Sequence, residues 1–530
     1  MNELELNLIQ RINVGDSLTR TSWRYPNKVA IVDGPRQFTY YELNDLVNKF
    51  SHFICSLGLQ VGDSMAILAG NCAEFLISYF ACAKVGVVCV PINLGWKGGE
   101  IEYVLNHSGA KAIVIEEQFL KLANVVLPSC EEIYEIVVVH SGDLQNVGDL
   151  SERNWHSFEA VIGEFEGLEP EVLIADRAAI SYLYTSGTTS APKGVVSSHL
   201  AVYLESLGVC VEDRFSHDDV LAAMMPLFHT AQLNGQCTPA IVVGATIVLL
   251  RGFDAEALLS AIEREKVSVF FGLPFMFREL LDCPSISQTD LSSLRLAIYA
   301  MAPMPDTLLR QCIEVLGCDF ALGFGQTEMN PVTTIFRPEH QLSHSGAVGT
   351  PQINVAVAIM DESGCLLPNG SSGEIVYRSP QTMTEYLHNP SATELAFDRG
   401  WFHSGDSGYF DKDGILWFED RFKDVIKSGG ENVSSIEVEK AIYASSNQIA
   451  EAAVVGLPHG RWGEAITAFV VPKNGQDLDP TEILARVKDK IDGFKAPKSI
   501  EIVSELPRTS TGKVQKNLLR RQYSAHYEEK

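Results

Sequence analysis

The sequence predicts an α/β protein. A large N-terminal domain of parallel-rich α/β subdomains carries a small β-subdomain, and a small α+β C-terminal domain follows. Three observations predict this. Apolar, β-branched runs alternate with helical patterns through the first part of the chain. Short strands separated by glycine-rich turns follow around Gly364 to Gly373. The charge balance then breaks near residue 420. Residues 421–530 hold 17 Lys+Arg and 15 Asp+Glu, a net of +2, so residues 1–420 carry −28 of the total of −26. The domains are accordingly read as 1–420 and 421–530.

Taken in order, Lys28–Val32 reads as a strand, and Thr39-x-x-Glu42 is a capping box opening a helix toward Leu57. Met65–Ala69 reads as a strand, Ala73–Lys84 as an amphipathic helix, and Gly86–Val90 as a further strand. The pattern repeats in helix Gly99–Asn106 and strand Ala112–Glu116. Val355–Met360 and Gly373–Val376 are the short strands of the β-subdomain. Beyond residue 420, helix Ser435–Ala444, strands Ala452–Val455 and Ile466–Val471, and helix Thr481–Ile491 make the compact α+β unit.

A chain of 530 residues exceeds one hydrophobic core. The net charge of −26 argues against nucleic acid as a partner. The run Phe75–Trp96 is interrupted by Lys84 and Gly86, so no transmembrane segment is expected. Eleven cysteines without C-x-x-C spacing disfavour a disulfide framework or a zinc site, and a reducing cytoplasm fits best.

The most informative stretch runs from Tyr184 to Gly194, directly after the apolar Ile180–Leu183. Thr185, Ser186, Gly187, Thr188, Thr189 and Lys193 offer hydroxyls, a flexible backbone and a cation, which suits a polyphosphate. Gly187 and Lys193 have the separation of the P-loop of ordinary NTPases. However, Pro192 replaces its second glycine and Gly194 stands where its metal-binding hydroxyl should be. That reading fails.

The stretch instead resembles the signature loop of the adenylate-forming enzymes, the superfamily of acyl-CoA synthetases, luciferases and peptide-synthetase adenylation domains. Further segments match in order. Gly323-Phe324-Gly325-Gln326-Thr327-Glu328 resembles a G-Y-G-x-T-E segment, with Phe324 where tyrosine is usual. The resemblance implies that the aromatic lies against adenine, that Thr327 meets the α-phosphate and that Glu328 binds Mg²⁺. A carboxylate beside a triphosphate itself argues for a bridging divalent cation. Trp401 to Asp406 resembles W-x-x-T-G-D, in which Asp406 would hold the ribose hydroxyls. Asp420 to Asp424 resembles the hinge, with Arg421 as the ribose contact and Lys423 as the pivot of a mobile C-terminal domain. Pro507 to Val514 matches the segment of the catalytic lysine, here Lys513. With Lys513, the resemblance makes Thr185, Lys193 and Glu328 the catalytic groups.

For the acyl pocket, the resemblance points to His229, Gln232, Phe271, Gly272, Ala300, Met301 and Gly323. The same resemblance implies that Ala302 and Pro303 border adenine. Ala300 replaces a usual glycine, which would shorten the pocket toward a short-to-medium or branched aliphatic acid. No aspartate follows the block Pro226 to His229, so an amino-acid substrate is disfavoured. Lys427, Gly429, Gly430, Trp462, Phe494 and Lys498 match coenzyme A contacts, while Ala496 replaces an arginine of some members. The implied activity is an AMP-forming acid–CoA ligase using ATP, Mg²⁺ and coenzyme A, acting as a monomer or homodimer. Two alternatives stand beside it: a ligase that loads an acyl carrier protein, and a nucleotide-binding regulator that has lost catalysis.

Overall fold

The computed structural model describes residues 1–139, 153–185, 191–301, 304–473 and 476–527. Among these residues four sheets form. An eight-stranded sheet runs from Glu385–Tyr386 through Lys193–Ser198, Ala179–Thr185, Val88–Pro91, Ser64–Leu68 and Ala110–Glu116 to Glu135–Val139 and Asn154–Ser157. A nine-stranded sheet contains the parallel run Thr246–Leu249, Val220–Ala223, Val269–Gly272, Leu296–Tyr299 and Asp319–Gly325. The third, of Ala356–Met360, Gly373–Arg378, Phe402–Phe410 and Leu416–Arg421, is antiparallel throughout. It is the expected small β-subdomain.

Local chemistry accounts for the element starts. Thr39 caps helix Tyr40–Ser56 through a complete capping box: Thr39 N–H donates to Glu42 at 2.8 Å and Glu42 N–H donates to Thr39 Oγ1 at 3.2 Å. The Thr39 N–H and the Thr39 hydroxyl, both donating to the Glu42 carboxyl, hold it below its ordinary range. The helix expected to be amphipathic differs. Every residue of Ala73–Val85 is buried, Lys84 included, because the helix packs against both Val14–Arg24 and Tyr40–Ser56. A helix covered on all sides has no polar face to show. The Lys84 ammonium survives there by donating to Thr19 Oγ1, Asn44 Oδ1, Asn48 Oδ1 and Glu169 Oε2, all within 2.6 to 2.8 Å.

The chain leaves the antiparallel sheet at Arg421 and enters the last sheet at Ile426. That sheet is built on the long hairpin Ile449–His459 and Gly463–Pro472, with Ser499–Ile502 parallel to its second strand. Its apolar residues form clusters of their own, around Val438, Val454 and Ile466 on one side and Phe469 and Leu519 on the other. Both hairpin strands exceed the expected spans. Helix Pro480–Lys488 is shorter than expected, and the amides of Lys490 and Ile491 turn back to Val487 O.

Candidate active site

Four parallel strands, Val220–Ala223, Val269–Gly272, Leu296–Tyr299 and Asp319–Gly325, end on one rim. Gly272 is opposite Tyr299, and Tyr299 is opposite Leu322. Phe271, Gly272, Ala300, Met301 and Gly323 therefore cluster at the carboxyl ends of the strands, where open α/β sheets present ligands. A side chain at Gly272 would reach within 3.1 Å of Met224 Cε and 3.6 Å of Met276 Sδ, so the rim is narrow there. Half-buried His229 caps a helical turn, its Nδ1 accepting from Ala231 N at 3.2 Å. Gln232 is fully buried, and its amide accepts from Met225 N and donates to Cys237 Sγ. Its polar atoms serve the protein's own wall. Ala302 and Pro303 lie outside the described residues.

Thr185 and Lys193 face one another across the hairpin of Ala179–Thr185 and Lys193–Ser198, so the loop between them springs from a fixed base. Ser186, Gly187, Thr188 and Thr189 lie outside the described residues. Lys193 Nζ sits over the ring of Tyr386, 4.7 Å from its centroid. Tyr386 in turn donates its hydroxyl to Glu328 Oε1 at 2.7 Å. Glu328 stands on the single turn Thr327–Met329 that follows strand Asp319–Gly325. Gly325 is required there, since a Cβ would lie 1.9 Å from Pro331 O. Gln326 N donates to the same carbonyl at 2.9 Å and closes the loop. Phe324 packs against Phe418, with ring centroids 5.3 Å apart.

Asp406 and Arg421, fifteen residues apart in sequence, are direct cross-strand partners, with Arg421 Nε 3.2 Å from Asp406 Oδ1. Glu374 shapes the turn before Asp406 by accepting from Gly405 N at 3.0 Å and pairing with His403 Nδ1 at 2.8 Å. Burial raises the Asp406 carboxyl, opposed by Arg421 and Lys513. Lys513 comes from a turn near the C-terminus. Its turn docks through Ser510 Oγ donating to Asn93 Oδ1 at 2.6 Å, and Gly512, at φ +84°, lies so close that a Cβ would be 2.4 Å from Leu273 Cδ1. The Lys513 side chain keeps solvent contact along the cleft, yet protein from both parts crowds it. Desolvation, then the Arg421 cation, pulls its ammonium down to about 7, with Asp406 opposing. Burial and then Lys513 hold His229 down to about 4.

A second cluster forms on the C-terminal sheet. Gly429 N donates to Trp462 O at 2.8 Å, and a Cβ on Gly429, at φ +63°, would touch the indole at 3.2 Å. Lys498 Nζ lies 5.0 Å and Arg461 Cζ 4.6 Å from the Trp462 ring centroid. Lys498 Nζ also donates to Phe494 O at 3.4 Å and Ala496 O at 3.2 Å. Lys427 and Gly430 flank Gly429 in the adjoining hairpin. Lys423 lies in the connection between the two sheets.

Sequence reasoning missed Tyr386, Asn93 and Glu374. Tyr386 sits in a two-residue strand just before the Asn389-Pro390 helix start, and that helix signal says nothing of the ring in front of it. Glu328 suits Mg²⁺, because among the described residues only its Oε1 is engaged, and a magnesium ion held mostly by phosphate and water needs few protein ligands.

The AMP-binding enzyme family matches residues 18–387, and the AMP-binding enzyme C-terminal domain matches residues 437–513. A feruloyl-CoA synthase of Amycolatopsis sp is 33% identical over 94% of this chain and 96% of its own length. The fatty acid–[acyl-carrier-protein] ligase ScoC of Streptomyces coeruleorubidus is 31% identical over 93% of each. The crystal structure of the anthranilate CoA ligase AuaEII in complex with anthranoyl-AMP superposes with a TM-score of 0.89 at 28% identity, covering 96% of this chain and 97% of that one. The fold is theirs: parallel-rich α/β sheets followed by a small C-terminal unit.

Proposed function

We propose that this chain, which belongs to the AMP-binding enzyme family, is an AMP-forming carboxylic acid–CoA ligase for an acid with an uncharged, short-to-medium aliphatic tail. The observation that carries the reading is the convergence of Lys513 with Asp406 and Arg421 in one cleft, although Lys513 lies about ninety residues further along the chain. A carboxylate is a poor acyl donor. Its oxygen attacks the α-phosphate of ATP, the bond to pyrophosphate breaks, and the acyl group now carries AMP as leaving group. Lys513 neutralises charge between carboxylate and α-phosphate, Asp406 and Arg421 hold the ribose, and Lys193 faces the phosphates. His229 stays neutral beside the acyl group and does not compete for its charge. Mg²⁺, held by Glu328, would supply further charge neutralisation on the polyphosphate.

For the second step the domain of residues 421–530 turns about Lys423 against residues 1–420. The Gly429–Gly430 hairpin then faces the acyl-adenylate. The thiol of coenzyme A attacks the acyl carbon, AMP leaves, and the thiol proton passes to solvent. Trp462, flanked by two cations, suits the base and phosphates of a nucleotide-like cosubstrate. Narrowing of the rim by Met224 and Met276, together with Ala300 where the resemblance expects glycine, supports a short tail. The absence of a charged side chain among the named rim positions supports an uncharged one.

The ScoC relative keeps a carrier protein as the alternative acceptor. Among the described residues no helix is long and apolar enough to cross a membrane, and the eleven unpaired cysteines support a reducing cytoplasm. The test is pyrophosphate release across aliphatic and aromatic acids, with and without coenzyme A. Acid-dependent release with acyl-CoA formed supports the ligase, and hexanoate should exceed palmitate in kcat/KM. Release without thioester redirects the reading to a carrier protein. ATP binding without release for any acid contradicts it and favours a non-catalytic regulator.

A further inference from the structure

We propose that Tyr386 is a positioning residue that fixes two groups of the nucleotide site relative to each other, its ring seating the Lys193 ammonium and its hydroxyl orienting the Glu328 carboxylate. The inference rests on Lys193 and Glu328 being phosphate- and metal-binding groups. Three features carry it. The short strand Glu385–Tyr386 adds to the edge of the eight-stranded sheet with Tyr386 opposite Val195. Lys193 and Val195 project to the same face of their strand, so the register itself brings ring and ammonium together. The segment before Tyr386 is stitched to the turn of Glu328, Met383 N donating to Glu328 O at 2.7 Å, while Thr384 N donates to Val196 O at 2.9 Å. Tyr386 thus joins the two site elements through backbone as well as side chain.

An ordinary buried tyrosine spends its ring on the core and its hydroxyl on a nearby carbonyl. Tyr386 is 9% exposed and its ring also packs in the core, but the ring carries the Lys193 ammonium as well and the hydroxyl meets a carboxylate of the site. Its backbone N–H is held separately, donating to Thr393 Oγ1 at 3.0 Å, so the ring's place does not depend on either partner. The bond uses Oε1, and among the described residues Oε2 accepts no hydrogen bond. Removing a side chain that orients a metal ligand in this way typically costs about 10–100-fold in metal affinity.

Two substitutions separate the roles. Tyr386→Phe removes the hydroxyl and keeps the ring, and Tyr386→Leu removes both. The probe is ATP, titrated calorimetrically into the full chain with EDTA and again at increasing Mg²⁺, with thermal unfolding of each variant followed alongside. For Tyr386→Phe the expected result is metal-free ATP affinity near that of the unaltered protein and a rise of about tenfold or more in the Mg²⁺ needed for half-saturation. For Tyr386→Leu, metal-free ATP affinity should fall several-fold as well. The inference is overturned if folded Tyr386→Phe keeps the Mg²⁺ requirement of the unaltered protein. It is equally overturned if both variants lose ATP and Mg²⁺ binding only in proportion to the fraction unfolded. If the unaltered chain itself binds no ATP, the nucleotide site falls too, and the inference with it.

Discussion

Two lysines in crowded surroundings show how differently the same side chain is treated in this molecule. Lys84 lies inside the N-terminal core, and its ammonium meets four oxygens, one of them the Glu169 carboxylate. Burial lowers it, but Glu169 counters that shift. Lys513 lies in the cleft, and among the described residues no side-chain oxygen is within hydrogen-bond distance of its Nζ. Its strongest charged neighbour is another cation, Arg421. One lysine is satisfied and holds a fold together. The other lacks such partners, and in the proposed function an incoming anion would supply them.

The largest effect that separates the two concerns Lys84. Lys84→Met should destabilise the protein by about 2–4 kcal/mol, because the buried Asn44 and Asn48 carbonyls lose their donor, while Glu169, 37% exposed, turns to water. Urea unfolding reads this, and pyrophosphate release per folded molecule should be unchanged. A loss of activity without loss of stability would put Lys84 on the functional side. Trp462→Ala comes next. Stacking on a base is worth about 1–3 kcal/mol, so KM for coenzyme A should rise roughly tenfold while acid-dependent pyrophosphate release in its absence holds. Equal loss in both assays would make Trp462 a packing residue.

The smallest effect is a proton. The Lys513 ammonium is pulled down to about 7 from an ordinary 10.5, so the folded arrangement carries no charge cost above pH 10.5. The cost grows as pH falls and is complete below about 7. Seating Lys513 over the cleft without nucleotide therefore weakens on acidification. In the proposed function ATP would bring the missing negative charge and raise the ammonium again, so binding at pH 7 should take up a fraction of a proton. Calorimetry in two buffers of different ionisation enthalpy measures this uptake, and Lys513→Ala should abolish it. Uptake that survives the substitution would assign the proton to Asp406.

Much of the arrangement was legible in the chain, for physical reasons. Turn and cap chemistry is local, so Thr39 and Glu42 announced their helix, and the charge break marked where one sheet gives way to the next. The chain order of Lys193, Glu328, Asp406, Arg421 and Lys513 carried the resemblance. What stayed hidden depended on contacts between distant segments. The Asp406–Arg421 pairing is a matter of strand register, and the Tyr386 bridge joins three separated stretches. Helix Ala73–Val85 misled because a polar residue in an apolar run reads as a solvent face, whereas Lys84 finds its polar partners inside. Gln232 was expected at the acyl group, and its engagement with Met225 N could not be seen from spacing.

The most direct test of the contrast is to measure the two half-reactions of Lys513→Ala separately. Acid-dependent pyrophosphate release should fall by roughly 10²–10³-fold, as for loss of one transition-state charge contact. Thioester formation from a supplied acyl-adenylate and coenzyme A should remain near that of the unaltered protein. If both half-reactions fell together, Lys513 would be a residue that holds the domains in place, as Lys84 holds the core. Its lack of partners would then have no bearing on catalysis.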